Sequence, residues 1–135
     1  MDNLTASQRS KTMRAVKGTN TSAEIAVRRL CRDMGEPGYR LHRPDLPGKP
    51  DLAYVGRGLA VFVHGCFWHG HDCAAGAKSP RTNSAYWLNK ITRNRARDTR
   101  NLEALLALGW RTLVVWECEL KSGAATKKLR RFFRR

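Results

Sequence analysis

Two short apolar runs with three residues between them place the strongest constraint on the fold of this chain. The runs occupy residues 52–55 and 59–63, and Gly56-Arg57-Gly58 separates them. Apolar segments of this length joined by a short glycine-containing connection are typical of a β-hairpin. A further apolar run at residues 111–118 indicates another, buried strand. The chain therefore needs a sheet, and helices have to cover it.

Helical patterns lie on both sides of the predicted hairpin. Thr21-x-x-Glu24 has the form of a capping box and predicts a helix that ends at Gly35. A second, long helix is predicted over residues 84–109. The order of helices and strands predicts an α/β fold, with a mixed sheet between helices, as one domain over residues 1–135.

The charge of the chain indicates a polyanionic partner. Lys and Arg number 26 against 11 Asp and Glu, which gives a formal net charge of +15. Nucleic acid is the commonest partner of so basic a domain. No apolar run is long enough for a transmembrane helix, and no basic helix carries the aromatic face that lipid binding requires. The N-terminus lacks the pattern of a signal peptide, so we expect a cytoplasmic protein without a membrane partner.

Cysteine and histidine are concentrated in one short segment. Cys66, His71 and Cys73 lie within eight residues, and Cys118 stands at the end of the last predicted strand. A reducing compartment disfavours a disulfide, whereas three thiolates and one imidazole form a closed tetrahedral zinc site. Because such a site has no open position for water, the predicted Zn²⁺ is structural. Cys31 falls on the apolar stripe of its helix and is predicted to pack in the core.

A second set of polar residues surrounds the hairpin. Asp51 precedes its first strand, where metal-dependent nucleases use a carboxylate to hold Mg²⁺. His64 follows the second strand and should lie near Asp51 across the sheet. The common restriction-nuclease pattern would place an acid at Phe62 and a lysine at His64. The acid is missing here, so we expect the backbone carbonyl of Val63 to complete the metal site and histidine to transfer protons.

Two further residues are candidates for the proton-transfer machinery. His69 is the better general base, because it lies among the predicted zinc ligands without fitting their set; spacing leaves open whether His69 or His71 ligates zinc. Asp98 falls on a largely inward stripe of the long helix, where a carboxylate needs a partner. That partner is either the catalytic His69 or an arginine. An ion pair with Arg95 or Arg111 would give Asp98 a purely structural role.

Five segments carry a more specific pattern. They are Arg9-Ser10-Lys11-x-Met13-Arg14-Ala15, Pro47-Gly48-x-Pro50-Asp51, His64-Gly65-Cys66-Phe67-Trp68-His69, Trp87-Leu88-x-Lys90-Ile91, and Gly109-Trp110-Arg111 with Val115-Trp116-Glu117-Cys118. Together they resemble the very short patch repair (Vsr) endonucleases over nearly the whole chain. The resemblance implies a restriction-endonuclease-like core with a structural zinc. It also implies Mg²⁺-dependent nicking of one strand of double-stranded DNA 5′ to the thymine of a T:G mismatch.

The resemblance also implies roles for single residues. It assigns metal binding to Asp51 and the Val63 carbonyl, catalysis to His69 with His64 and Asp98 in support, and a further active-site carboxylate to Glu24. The capping-box pattern leaves Glu24 a purely structural alternative. Val63 stands where the family pattern has threonine, a change that a ligand from the backbone tolerates.

Aromatic side chains predict how a mispair is recognised. Phe67 and Trp68 are adjacent in a loop of Gly, Cys and His, which is an awkward place for core residues. Apolar wedges unstack base steps, at a cost that falls where a mispair is already poorly stacked. Met13, in the N-terminal DNA-contacting segment 1–20, is predicted to wedge from the opposite groove.

The long helix carries a second set of DNA contacts. Trp87, Lys90 and Asn94 share one face by their spacing, and the resemblance makes Lys90 and Asn94 contacts to the mispair. The basic tail at residues 124–135, either a short helix or a disordered arm, is expected to hold phosphates without reading sequence.

Two other functions fit parts of this pattern. One is a related nickase of a restriction or defence system with another DNA target. The other is a non-catalytic zinc-stabilised DNA-binding module, which would not need Asp51, His64 and His69 together. Nicking one strand requires only a monomer, and mismatch-repair proteins are candidate partners. No pattern in the sequence predicts which bases the protein prefers on either side of the mismatch.

Overall fold

The computed structural model describes residues 21–66 and 84–134. Their elements, in chain order, are α1 (Ser22–Asp33), β1 (Arg40–Leu41), β2 (Leu52–Tyr54), a 3₁₀ turn (Val55–Arg57), β3 (Leu59–His64), α2 (Ser84–Ala107), β4 (Arg111–Trp116), α3 (Glu117–Ser122) and α4 (Ala124–Arg134). No helix in these two stretches has the length and hydropathy to cross a membrane.

The four strands form one mixed sheet in the order β1-β2-β3-β4. β2 and β3 are antiparallel, with Leu52 opposite Val61, and this confirms the predicted hairpin. β4 pairs with β3 in parallel, with His64 opposite Trp116. A parallel pair needs a long crossover, and α2 lies between these two strands in the chain. The predicted α/β class with a mixed sheet and flanking helices is therefore confirmed.

Helix α1 begins where its cap predicts and packs on the sheet. The hydroxyl oxygen of Thr21 accepts a hydrogen bond of 3.2 Å from the backbone N–H of Glu24. Cys31 is fully buried in a core cluster with Val27 and Leu52, so its predicted packing role is confirmed. Burial raises the pKa of the Cys31 thiol to about 11, which keeps it protonated at neutral pH.

Helix α2 begins at Ser84 as predicted and ends two residues before Gly109, whose φ of 86° turns the chain into β4. Near its C-terminus Leu105 is buried in a second cluster with Ala60 and Phe62 of β3. Leu88 and Arg95, which share a helical stripe with Asp98 by spacing, are exposed. The predicted inward stripe was therefore too long, because only the C-terminal part of α2 packs closely on the sheet.

Strand β4 is shorter than predicted. It ends at Trp116 instead of Cys118, because Glu119 caps a new helix: its carboxylate accepts a hydrogen bond of 2.8 Å from the Trp116 N–H. Cys118 consequently lies in the first turn of α3 and not at the end of a strand. The prediction for residues 117 and 118 was wrong for this reason.

The C-terminal tail adopts the helical one of its two predicted forms. Helix α4 buries Leu129 completely in the main core cluster, with Ala125 and Phe132 on the same face. Its exposed positions recur at helical spacing and are all basic: Lys127, Arg130, Arg131 and Arg134. The helix thus covers the sheet with one face and presents a positively charged stripe on the other.

Candidate active site

Two carboxylates and an imidazole meet beside the start of strand β2. Nε2 of His42 lies 3.1 Å from Oε2 of Glu24 and 3.8 Å from Oδ1 of Asp51. One ligand atom from each residue lies within 4.8 Å of the others, close enough for a single cation to contact all three. The structure thus brings the predicted Asp51 and Glu24 together, and it adds a histidine.

The strand register explains why His42 and Asp51 are neighbours. β1 pairs with β2 through Leu41 opposite Leu52, so the next antiparallel position joins His42 and Asp51. The backbone N–H of His42 donates to the Asp51 carbonyl over 3.4 Å. The φ of His42 is 47°, in the left-handed region that histidine visits more readily than most residues.

Glu24 reaches this position from the first turn of α1. Its backbone N–H is held by Thr21, while the carboxylate oxygen Oε2 lies near His42 and accepts a hydrogen bond of 3.3 Å from Arg28. The residue is only 5% exposed. A buried carboxylate directed at His42 favours a role at the site over capping alone.

Asp51 is held by strand β3. Its Oδ2 accepts a hydrogen bond of 2.6 Å from the backbone N–H of Val63. Burial, together with the negative charge of Glu24, raises the pKa of Asp51 to about 7, against the opposing effects of the Val63 N–H and Arg28. Two carboxylates in one partly buried place repel each other, and a divalent cation would relieve that repulsion. Carboxylate oxygens such as those of Glu24 and Asp51 are ligands of the kind that Mg²⁺ takes in proteins.

Helix α2 supplies a second acid at the end of strand β3. Oδ2 of Asp98 lies 4.0 Å from Nδ1 of His64. The His64 side chain is buried, and its ring packs edge-on against Trp116 with 5.1 Å between centroids. Asp98 thus has a histidine neighbour among the described residues. That histidine is His64, whereas His69 lies outside the described residues.

The carboxyl ends of β3 and β4 carry two of the predicted zinc ligands. Because these strands are parallel and His64 pairs with Trp116, Cys66 and Cys118 each follow the last pair by two residues at the same sheet edge. Cys66 is buried, and its N–H donates to the Glu117 carboxylate over 3.2 Å. His71 and Cys73 lie outside the described residues, so the zinc site remains a prediction.

Three of the residues that are predicted to contact DNA lie on one face of α2. Trp87, Lys90 and Asn94 are each half-buried at spacings of three and four, and Nζ of Lys90 lies 5.9 Å from the centre of the Trp87 ring. Arg97 donates to the side-chain oxygen of Asn94 over 3.1 Å. The other predicted contacts, Met13, Phe67 and Trp68, lie outside the described residues.

Sequence reasoning missed His42. The available signal was the loop at residues 43–50, rich in Pro and Gly, because the two residues that flank a loop between paired strands must be neighbours. Recognising the pair required the register of β1, a strand of only two residues.

Known proteins with sequences similar to this chain include Type II nicking enzymes and a DNA mismatch endonuclease. The profile of the family described as DNA mismatch endonuclease Vsr matches residues 1–75, a range that includes Glu24, Asp51 and His64. The Type II nicking enzyme V.XorIIP of Xanthomonas oryzae is 49% identical over 96% of this chain and 94% of its own length. The Type II nicking enzyme V.NmeAIP of Neisseria meningitidis is 40% identical over 94% and 89%. The DNA mismatch endonuclease Vsr of Escherichia coli is 42% identical over 84% and 71%.

Proposed function

Because the chain belongs to the Vsr family of DNA mismatch endonucleases, we propose that it nicks one strand of duplex DNA 5′ to the thymine of a T:G mismatch by Mg²⁺-dependent hydrolysis. As a member of this family it is a DNA endonuclease, so the rival idea of a non-catalytic binding module is wrong. The observation that carries the proposal is the pair of partly buried carboxylates, Glu24 and Asp51, next to strand β3. We further propose that the mixed sheet is a restriction-endonuclease-like core.

The residues that would hold the metal are Asp51, the backbone carbonyl of Val63 and, beside them, Glu24. The contact between Asp51 and the Val63 N–H supports this assignment, because it brings the Val63 backbone next to the carboxylate. When bound, Mg²⁺ makes water more acidic and offsets the charge that develops on the phosphate.

Histidines would move the protons. His69 takes a proton from the attacking water, and such general-base catalysis contributes about 10²–10⁴-fold to rate. His64 is held near the end of β3 by Trp116 and Asp98, and the Asp98 carboxylate offsets the positive charge on an imidazole that has taken up a proton. A half-buried acid in this position would orient a histidine without taking part in bond breaking itself.

Zinc would stabilise the edge of the sheet that carries these histidines. Cys66, His71, Cys73 and Cys118 form the proposed closed site, and the common sheet edge of Cys66 and Cys118 supports it. Such a site ties the segment after β3 to the first turn of α3.

The mispair would be recognised by wedges and by one helix face. Phe67 and Trp68, with Met13 of segment 1–20 opposite, insert between base steps, and this costs less at a mispair. The Trp87, Lys90 and Asn94 face contacts the mispaired bases. The basic stripe of α4 holds phosphates without reading sequence. A monomer suffices for a cut in one strand.

A second candidate target has specific support. Two of the three relatives described above are named Type II nicking enzymes, at 49% and 40% identity. The same active site would then serve a nickase of a restriction system, with a narrower sequence context or another lesion as its target. The chemistry is common to both candidates, and only the recognised duplex differs.

End-labelled duplexes separate the two candidates. T:G, T:A and other mispaired duplexes, each in several flanking sequences, are incubated with Mg²⁺ and the cut is mapped on each strand. We expect a cut in the thymine strand only, on its 5′ side, in the T:G duplexes. Cutting of matched duplexes at one sequence, or preference for another mispair, would reject the T:G assignment in favour of the second candidate.

A further inference from the structure

We propose that His42 is a metal ligand alongside Glu24 and Asp51, and that it makes this site bind Mn²⁺ in preference to Mg²⁺. The inference deepens the metal requirement of the proposed function and rests on it. Neither the sequence patterns nor the family resemblance pointed to His42; the assignment comes from the position of its imidazole between two carboxylates.

The distances fit three ligands on one ion. Ligand atoms about 2.1 Å from a cation lie about 3 Å apart when they occupy adjacent octahedral positions, and farther apart at wider angles. Nε2 of His42 lies 3.1 Å from Oε2 of Glu24 and 3.8 Å from Oδ1 of Asp51. Small side-chain movements would therefore complete the coordination, without rearrangement of the backbone.

The two oxygens of Asp51 have separate environments. Oδ2 accepts the hydrogen bond from the Val63 N–H, whereas Oδ1 is the atom that lies near His42. The hydrogen bond fixes the carboxylate while Oδ1 can contact a cation. Strand β3 thus orients Asp51 so that its Oδ1 faces β1 and α1, where a cation would bind.

A cation bound at this site would share one oxygen of Glu24 with Arg28. The Arg28 guanidinium lies 3.3 Å from Oε2 of Glu24, so a bound ion shares this oxygen with it. A carboxylate oxygen has two lone pairs and can serve both partners. The side chains of His42 and Asp51 are 22% and 17% exposed, which leaves access for an ion and its remaining water ligands.

The imidazole sets the preference among metals. Mg²⁺ favours oxygen ligands almost exclusively, whereas the divalent metals of the first transition row bind nitrogen more readily. Mn²⁺ stands at the start of that row and has the weakest preference for nitrogen among them. A site with one imidazole and two carboxylates should bind Mn²⁺ more tightly than Mg²⁺. The competing explanation is an ion pair between protonated His42 and Glu24, in which the imidazole contacts no metal.

Metal binding without DNA tests the proposal on the full chain. Titrations with Mn²⁺ and with Mg²⁺ compare the wild type with His42→Gln and with Arg43→Gln, whose exposed pair with Asp45 makes it a matched neighbouring control. Loss of even an outer partner of a ligand lowers metal affinity about 10–100-fold. We expect His42→Gln to lower Mn²⁺ affinity by that amount and Mg²⁺ affinity much less, while Arg43→Gln changes neither. Equal, small changes for both metals would overturn the proposal.

A measurement on the wild type covers the case in which His42→Gln fails to fold. Pulsed EPR of the Mn²⁺-bound protein detects the coupling of the electron spin to a nitrogen nucleus that is bonded directly to the ion, and we expect this nitrogen coupling at one equivalent of Mn²⁺. Bound Mn²⁺ without a nitrogen coupling would overturn the proposal. If the coupling is absent while Asp51→Asn abolishes Mn²⁺ binding, only the role of His42 fails. If wild type binds neither metal, the metal dependence of the proposed function fails as well.

Discussion

A 2.6 Å hydrogen bond joins the backbone N–H of Val63 to Oδ2 of Asp51, and it connects the loop before β2 to the strand that leads to His64. The contact fixes a carboxylate whose other oxygen lies near His42 and Glu24. The sheet thereby orients Asp51 through Oδ2 and leaves Oδ1 available to a cation.

Asp51 should be essential for nicking. Asp51→Asn should abolish nicking and leave the affinity for DNA nearly unchanged, because it removes a charged metal ligand and no phosphate contact. The amide oxygen of asparagine can still accept the Val63 N–H, so the fold should persist. Nicking rates and DNA dissociation constants, measured on the same preparation, check the prediction. Wild-type activity in the variant would exclude Asp51 as the metal ligand.

The pH dependence of stability follows from the raised pKa of Asp51. The pKa is about 7 in the folded metal-free protein against an ordinary value of 3.8, so the folded state binds this proton more tightly. The resulting stabilisation is complete below the ordinary value and is lost as pH rises through about 7. The free energy of unfolding of the metal-free protein should therefore fall between pH 4 and pH 8 through this group.

Denaturant unfolding of the metal-free protein at several pH values measures this effect. Asp51→Asn is the matched control, because asparagine cannot ionise, and its stability should fall less over the same range. Adding Mg²⁺ at pH 8 should restore stability to the wild type and not to the variant. The same pH profile in both proteins would show that Asp51 is not the group responsible.

Much of the fold could be predicted because its signals are local. The Thr21 cap, the start of α2 at Ser84 and the hairpin strands all depend on residues a few positions apart. The end of β4 was wrong, since the competing signal was a single carboxylate, Glu119, that caps α3.

The candidate site was harder to predict, because its contacts join residues distant in sequence. Asp51 stood out from its place before a strand, but its neighbour His42 depends on the register of a two-residue strand. The approach of Asp98 to His64 depends on how α2 packs across the sheet. Helical spacing alone indicated that Asp98 needs a partner, but it could not identify His64 as the neighbouring residue.

Removal of a zinc ligand should affect the protein differently from removal of a core thiol. Cys118→Ala should lose one equivalent of zinc and destabilise or unfold the chain. Cys31→Ala is the control: its thiol is fully buried in the apolar core, so this variant should keep its zinc and lose only some packing energy. Metal analysis of both purified proteins, with thermal unfolding, checks this. Zinc-free wild-type protein would contradict the ligand assignment.

The general base is tested by His69→Ala. We expect a loss of about 10²–10⁴-fold in nicking rate, with zinc content and mismatch affinity retained. Loss of zinc in this variant would instead make His69 a ligand and leave His71 as the free imidazole. Retained zinc together with a wild-type rate would show that His69 is not the base.

Mismatch-specific, metal-dependent nicking is tested most directly by single-turnover rates on two duplexes that differ in one base pair only. One duplex carries T:G and the other T:A, and each is measured with Mg²⁺ and then with excess chelator. We expect a metal-dependent cut in the thymine strand of the T:G duplex, immediately 5′ to the mispaired thymine, and little cutting of the T:A duplex. Equal rates on the two duplexes, or a cut that survives removal of all divalent metal, would contradict this expectation.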